Sequence, residues 1–218
     1  KAVAMTVGRK NANYVDSKDS DIIATLIKNY SGLTADVEAT TTQHKELVQY
    51  YCADWDFMLS RAEANGLLVC CDDGKLTVKS AQTGAAAELK VAYGDDLLEF
   101  HADIDARSQL SEVSSASWDP KDQAIVEEKV SPQTLNAQGD LDSATLAKVL
   151  DLKSYRLQSP VMMEKTALKD WATGQQVKAG LARIRGRMKF QGSAKAKIGS
   201  LIELEGVGNR FNGNVFVS

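Results

Sequence analysis

One stretch, VQYYCADWDFMLSRAEANGLLV from Val48 to Val69, restricts the fold more than any other in the chain. It reads as a strand end, a capped helix of about three turns, a glycine stop and a second strand. Asp54, Trp55 and Asp56 fill the first helical turn, where acidic side chains meet the positive end of the helix dipole. Trp55, Met58, Leu59 and Ala62 recur at i, i+3, i+4 and i+7, the spacing of one apolar stripe against a core. Asn65-Gly66 supplies the left-handed residue that ends a helix, and Leu67-Leu68-Val69 begins a strand at once. The expectation is a docking helix joined to a sheet, with no catalytic chemistry in it.

The rest of the first half extends this unit. Lys1 to Gly8 alternates weakly and predicts a strand. Asp16 to Asp21 is a polar linker whose Asp19 or Ser20 caps a helix carrying Ile22, Ile23, Leu26 and Ile27, closed by Ser31-Gly32. Val37 to Thr42 is β-branched and predicts an extended segment. Leu67–Cys71, the turn Asp72-Asp73-Gly74-Lys75 and Leu76–Lys79 read as a hairpin. Residues 11–85 thus form a small α/β domain.

From Glu88 the pattern becomes β. Leu89–Tyr93, the alternating runs Leu97–Ser108 and Leu110–Trp118, and Ala124–Glu127 read as strands, with Trp118–Lys121 as a turn. Residues from about 131 to 182 interrupt them: a polar loop, a short helix over Ala144–Leu150 and a longer one from Glu164 to about Leu181. Gly174 is a mild weakness inside the longer helix. Arg183–Phe190, Lys197–Glu205 and Asn214–Val217 supply further strands. Many strands with turns at short intervals predict a barrel over 86–218 with a helical insertion. The fold class expected is α+β, a small α/β domain followed by an antiparallel β-barrel.

Composition excludes several classes. The chain has 218 residues, 44% hydrophobic and 25% charged, ordinary values for a globular protein. A net charge of −3 offers no bulk attraction to nucleic acid or anionic membrane. No apolar run approaches the roughly 20 residues that cross a bilayer, so no stable membrane association is expected. The chain begins at Lys1 and stops at Ser218 inside an apparent strand, so it reads as a fragment of a longer protein. Cys52, Cys70 and Cys71 are an odd number, and reduced thiols in a cytosolic assembly fit them better than a disulfide framework.

Catalytic motifs are missing: there is no G-x-S-x-G elbow, HExxH, Walker A or paired CxxC, and no cofactor or metal is expected. Gly206-Val207-Gly208 lacks a third glycine and a following helix. A Cys52–His44 nucleophile pair is conceivable, but nothing in the sequence brings the two together. Asp103 and Asp105 would lie about 7 Å apart on one strand face, a separation open to a glycosidase pair, but alternating polar residues are what a half-exposed strand shows anyway, so a solvated acidic face is the expectation. Arg183, Arg185, Arg187 and Lys189 share one strand face opposite Ile184, Met188 and Phe190. The stripe carries no interleaved aromatic for base stacking, so an ordinary solvated strand face suits it better than nucleic acid.

Gln49-Tyr50, Asp54, Phe57, Arg61, Glu63 and Gly66 stand at the spacing QY-x-x-x-D-x-x-F-x-x-x-R-x-E-x-x-G. It resembles the hub segment of VgrG spike proteins, phage late control protein D and tail baseplate hub proteins. Those families carry an Asn-Glu-Ser-Asp turn before the helix, of which only Asp54 is present here. The ordered residues Gly186-Arg187, Gly192, Lys197–Leu204, Gly206, Gly208, Phe211-Asn212-Gly213 and Val215-Phe216-Val217 are similar to the last barrel strands of the same families, with Ser200 where aspartate is common. The resemblance implies a homotrimeric, non-enzymatic hub that adapts a spike to a tube. Its partners would be copies of itself, the tube protein and a downstream needle module. It would be assembled in the bacterial cytoplasm and delivered outward on contraction. Residues 1–10 would then be the last strand of an upstream barrel. Trp55, Phe57, Arg61 and Gly66 would set the α/β unit, and Arg183, Arg185, Arg187 and Lys189 would face lumen or partner. The alternatives are a cell-wall hydrolase using Asp103 and Asp105, or a β-rich binding module for carbohydrate or nucleic acid.

Overall fold

The computed structural model describes residues 2–218. In chain order the strands are β1 (Lys10–Lys18), β2 (Thr34–Val37), β3 (Gln43–Cys52), β4 (Leu68–Asp72), β5 (Lys75–Lys79), β6 (Leu89–Ala92), β7 (Leu97–Ile104), β8 (Val113–Asp119), β9 (Ala124–Val130), β10 (Tyr155–Ser159), β11 (Ile184–Phe190), β12 (Leu201–Glu205) and β13 (Gly213–Phe216). The α-helices are α1 (Asp19–Lys28), α2 (Asp54–Ala64), α3 (Ser143–Leu150) and α4 (Lys165–Leu181), with 3-10 turns at Ala2–Thr6 and Ala106–Ser108. Mixed α and β structure is therefore present, and the described strands lie in five small sheets, none closed on itself.

The chain divides into two compact units. The first holds Lys1–Ser80, Ser115–Glu128 and Gln158–Gly174; the second holds Ala81–Ser114, Lys129–Leu157 and Gln175–Ser218. In the first, α1 and α2 bury Ile22, Ile23, Leu26, Ile27, Phe57, Met58 and Ala62 with Leu76 and Val78 of β5. Each of these side chains larger than alanine contributes about 1.5–3 kcal/mol on leaving water. The sheet runs β2-β5-β4, with β2 and β5 parallel and β4 and β5 antiparallel. Asp73 and Gly74 both have positive φ, 42° and 87°, the geometry of a tight two-residue hairpin turn. A separate two-stranded ribbon pairs β1 with β3.

Several expectations change. Where alternation predicts a strand over Lys1–Gly8, Ala2–Thr6 forms a 3-10 helix that buries Met5; Lys1 lies outside the described residues. The supposed polar linker at Asp16–Asp21 divides between the end of β1 and the start of α1. Neither Asp19 nor Ser20 caps α1: Lys18 occupies the N-cap without a side-chain bond. The apolar face of α2 centres on Phe57, Met58 and Ala62, while Trp55 is half-buried and Leu59 is exposed. In α2 these residues follow the same i, i+1, i+5 geometry that places Ile22, Ile23 and Ile27 inward in α1.

In the second unit one sheet runs β13-β12-β6 and another pairs β11 with β7. The β6–β12 pair is parallel, against the antiparallel expectation. The two strands lie far apart in sequence, so no tight hairpin dictates their direction. A single bridge, Tyr93 to Leu97, joins the end of β6 to the start of β7. A further sheet, in the order β10-β8-β9 and with most of β8 and β9 in the first unit, includes β10, a strand the sequence did not signal.

Candidate contact and charge-network site

Two buried carboxylates organise the first unit. Asp19, 1% exposed, stands at the first turn of α1 and accepts from Arg61 on the third turn of α2. The guanidinium is bidentate, Nε to Oδ1 at 2.6 Å and Nη2 to Oδ2 at 2.9 Å. Asn65 Nδ2 donates to Oδ2 at 2.8 Å and to the Arg61 carbonyl at 2.8 Å. His44 Nε2 lies 3.0 Å from Oδ2 and, facing a carboxylate oxygen, donates to it. Burial works to raise the Asp19 carboxyl, but the Arg61, His44 and Asn65 bonds outweigh it and hold the group below its ordinary value. The node clamps α1, α2 and β3 together.

Asp54, also 1% exposed, is the second. It accepts from Lys10 Nζ at 2.7 Å, Tyr30 Oη at 2.7 Å and Gln49 Nε2 at 2.9 Å. Burial again pushes this carboxyl up, and the three donors bring it down past its ordinary value. The Lys10 ammonium is in turn held well above its usual range, chiefly by its bond to Asp54. Buried Gln49 also donates to the Cys52 carbonyl at 3.2 Å, fixing the chain between β3 and α2. The Gln49-x-x-x-x-Asp54 spacing is therefore a strand-to-helix brace.

The remaining α/β residues pack. Phe57 stacks on Tyr14, with centroids 5.8 Å apart and planes 13° from parallel. Trp55 lies against the margin of the core. Gly66 has φ +68°, and a Cβ there would come within 2.7 Å of the Gly174 Cα. The reciprocal Cβ on Gly174 would come within 2.5 Å of the Gly66 Cα. Gly174, a weak point for α4 by propensity, is where that helix meets the stop after α2.

In the second unit the basic stripe acquires a partner. β7 and β11 are antiparallel, with Glu99 opposite Lys189, His101 opposite Arg187 and Asp103 opposite Arg185. Directly opposed residues share a face, so the acids of β7 face the bases of β11 across one exposed surface. Lys189 Nζ reaches Glu99 Oε1 at 3.2 Å. Arg183 departs from the stripe. It precedes β11, is partly buried, and donates from Nη2 to the Gln138 carbonyl at 2.8 Å. Burial lowers its guanidinium, with Asp142 opposing.

Asp103 and Asp105 do not share a strand face, because β7 ends at Ile104. Asp105 instead caps the 3-10 turn and grips Arg107, Nη2 to Oδ2 at 2.9 Å. That grip holds its carboxyl at about 2, so it carries no proton to donate near neutral pH. His44 and Cys52 sit at the two ends of β3, about 27 Å apart for a strand of that rise. Gly206 and Gly208 both have positive φ, 76° and 92°, and make a turn between β12 and β13 that no helix follows. All three cysteines are free thiols. Among the described residues no group of acidic, histidine and cysteine side chains is arranged to hold a metal. No described helix is long and apolar enough to cross a membrane.

Sequence reasoning missed Asp19, Lys10, Tyr30 and Gln49 as network members. Their partners lie far off in sequence, and the only local signal is an acid set against an apolar run at each helix start.

Residues 1–218 match the family described as the Alg8 N-terminal domain. No curated protein sequence matches this one. Among solved structures, the 43 kDa tail protein of prophage MuSo2 from Shewanella oneidensis is similar with TM-score 0.66 and 10% identity, over 93% of this chain and 60% of that one. The tail protein from Neisseria meningitidis MC58 gives TM-score 0.65 and 13% identity, over 92% of this chain and 61% of that one. The chain spans about three fifths of the length of these tail proteins. At such identities the likeness is one of fold.

Proposed function

The chain belongs to the Alg8 N-terminal domain family, and we propose that it is the hub of a trimeric spike in a contractile injection machine, VgrG-like or phage-tail-like. The observation that carries this reading is the tail-protein fold extending over nine tenths of the chain, 93% and 92% in the two comparisons. The Gln49-Tyr50, Asp54, Arg61 and Gly66 pattern supports it, because each of Gln49, Asp54, Arg61 and Gly66 has a structural task in bracing α2 against its strand or its neighbouring helix.

The proposed role is mechanical and needs neither catalysis nor cofactor. Three copies surround an axis, with the strands of the second unit forming sectors of a barrel and the β7–β11 face turned toward lumen or neighbour. An acidic strand beside a basic one on that face suits contact with another charged surface, since complementary patches set register and partner choice. Tube protein sits on one side of the ring and a needle module on the other. Assembly takes place in the bacterial cytoplasm, and contraction delivers the hub outward.

Electron microscopy of the chain mixed with the tube protein of its own machine tests the adaptor role. Tube stacks capped at one end by threefold density are expected. Uncapped stacks at saturating chain concentration would contradict it.

A further inference from the structure

The second unit has an opening where two sheets part. Val91 of β6 and Leu97 of β7 share one buried cluster, but the only backbone pairing between the two strands among the described residues is the Tyr93–Leu97 bridge. Beyond Leu97, β7 has no ladder partner on the side away from β11 among the described residues. A cavity of about 320 Å³ lies in this gap, lined by Tyr93 on one side, by the consecutive residues 97–100 on the other, and by Val207. Successive residues of a strand point to opposite faces, so a cavity touching four in a row runs along the strand edge and not over one face. An unpaired strand edge is a template for another strand, and native proteins ordinarily cover or blunt it. Here it is flanked by apolar side chains in solvent: Tyr93 is 71% exposed and Leu98 is 64% exposed.

Acidic side chains outnumber basic ones around the gap. Glu99 lines it, the adjoining turn supplies Asp95 and Asp96, and Glu205 precedes the glycine that closes it. Lys90 pairs with Glu205 at 2.6 Å and Lys189 with Glu99 at 3.2 Å, so these lysines offset only two of the four acids.

We propose that this seam is a strand-acceptor site for an extended segment of a separate protein, one that alternates apolar residues with lysine or arginine. The backbone of the incoming segment pairs with β7 from Leu98 onward. One apolar side chain enters the cavity between Tyr93 and Leu98, and its cationic neighbours meet Asp95 and Glu99. Main-chain bonds supply affinity in such strand addition, and the pocket and flanking charge supply selectivity. This inference goes beyond the hub assignment and does not depend on the oligomeric state of the chain.

The test uses a fluorescent hexapeptide alternating lysine with valine, and a matched peptide alternating glutamate with valine. Polarisation should show saturable binding of the basic peptide only, weakening as salt rises. Leu98→Asp, at an exposed position, should weaken it by about tenfold or more. Glu99→Lys should weaken it by repulsion at the rim. Amide hydrogen exchange over residues 98–103 should slow when the basic peptide is added, the signature of backbone pairing. Equal binding of both peptides, no binding of the basic one, or binding without exchange protection would overturn the proposal. So would self-association of the unmodified chain that Leu98→Asp abolishes, because the occupant would then be a second copy. A monomeric chain that still binds the basic peptide with exchange protection would contradict the hub and leave the seam intact.

Discussion

The two units use charge in opposite ways. In the first, Asp19 and Asp54 are each 1% exposed, and each accepts from three side chains. In the second, Glu99, His101 and Asp103 face Lys189, Arg187 and Arg185 across an exposed ribbon. A buried carboxylate without partners is costly to hold, so the first set specifies one packing of α1, α2 and β3. Exposed pairs contribute little to stability and remain available to a partner. The same residue types therefore brace one unit and dress the surface of the other.

The sharpest way to break this contrast is Arg61→Ala. It leaves Asp19 buried with its bidentate partner gone and is expected to cost about 3–5 kcal/mol in urea denaturation. Adding Asp19→Asn should return part of that loss, because the two side chains act on one interaction. Next in size is Gly66→Ala. A left-handed residue gains a Cβ pressed on the Gly174 backbone, and a loss of about 2–4 kcal/mol follows from the two effects together.

Acid sensitivity comes third. The folded carboxyls of Asp19 and Asp54 lie below their ordinary values. Their contribution is complete above the unfolded value near 4 and disappears as pH falls through the folded values. Asp170 has the opposite sign: burial raises its carboxyl, with Thr41 opposing, so its contribution is greatest in acid and is lost as pH rises through its folded value. Urea midpoints measured between pH 7 and 3 should therefore fall, and Asp54→Asn should start lower at pH 7 and fall less steeply. Smallest is Arg187→Glu on the exposed ribbon. It should move stability by less than about 0.5 kcal/mol, and a larger loss by thermal melting would mean that this face is part of the core.

Local pattern carried much of this architecture. The β4–β5 hairpin was legible because Asp73-Gly74 is a turn signal with a mechanism. Helix α4 was legible from Leu168, Trp171 and Ala172 along one side, and both α3 and α4 start within a residue of the expected positions. β1 was not legible, because its sequence KNANYVDSK offers no apolar alternation and gains its place from pairing with β3. The apolar face of α2 was misjudged by one residue, since Trp55 and Leu59 satisfy a helical period as well as Phe57 and Met58 do. The charge networks were hidden for a simpler reason: Lys10, Tyr30 and Gln49 meet Asp54 only once the chain has folded. The i, i+2 spacing of Asp103 and Asp105 predicts a shared face because nothing in the sequence marks the end of β7 at Ile104.

Light scattering on the chain at its natural length bears most directly on the hub assignment. A mass of three protomers, constant over a wide concentration range, is the expected result. A mass of one protomer over the same range would contradict the trimeric hub.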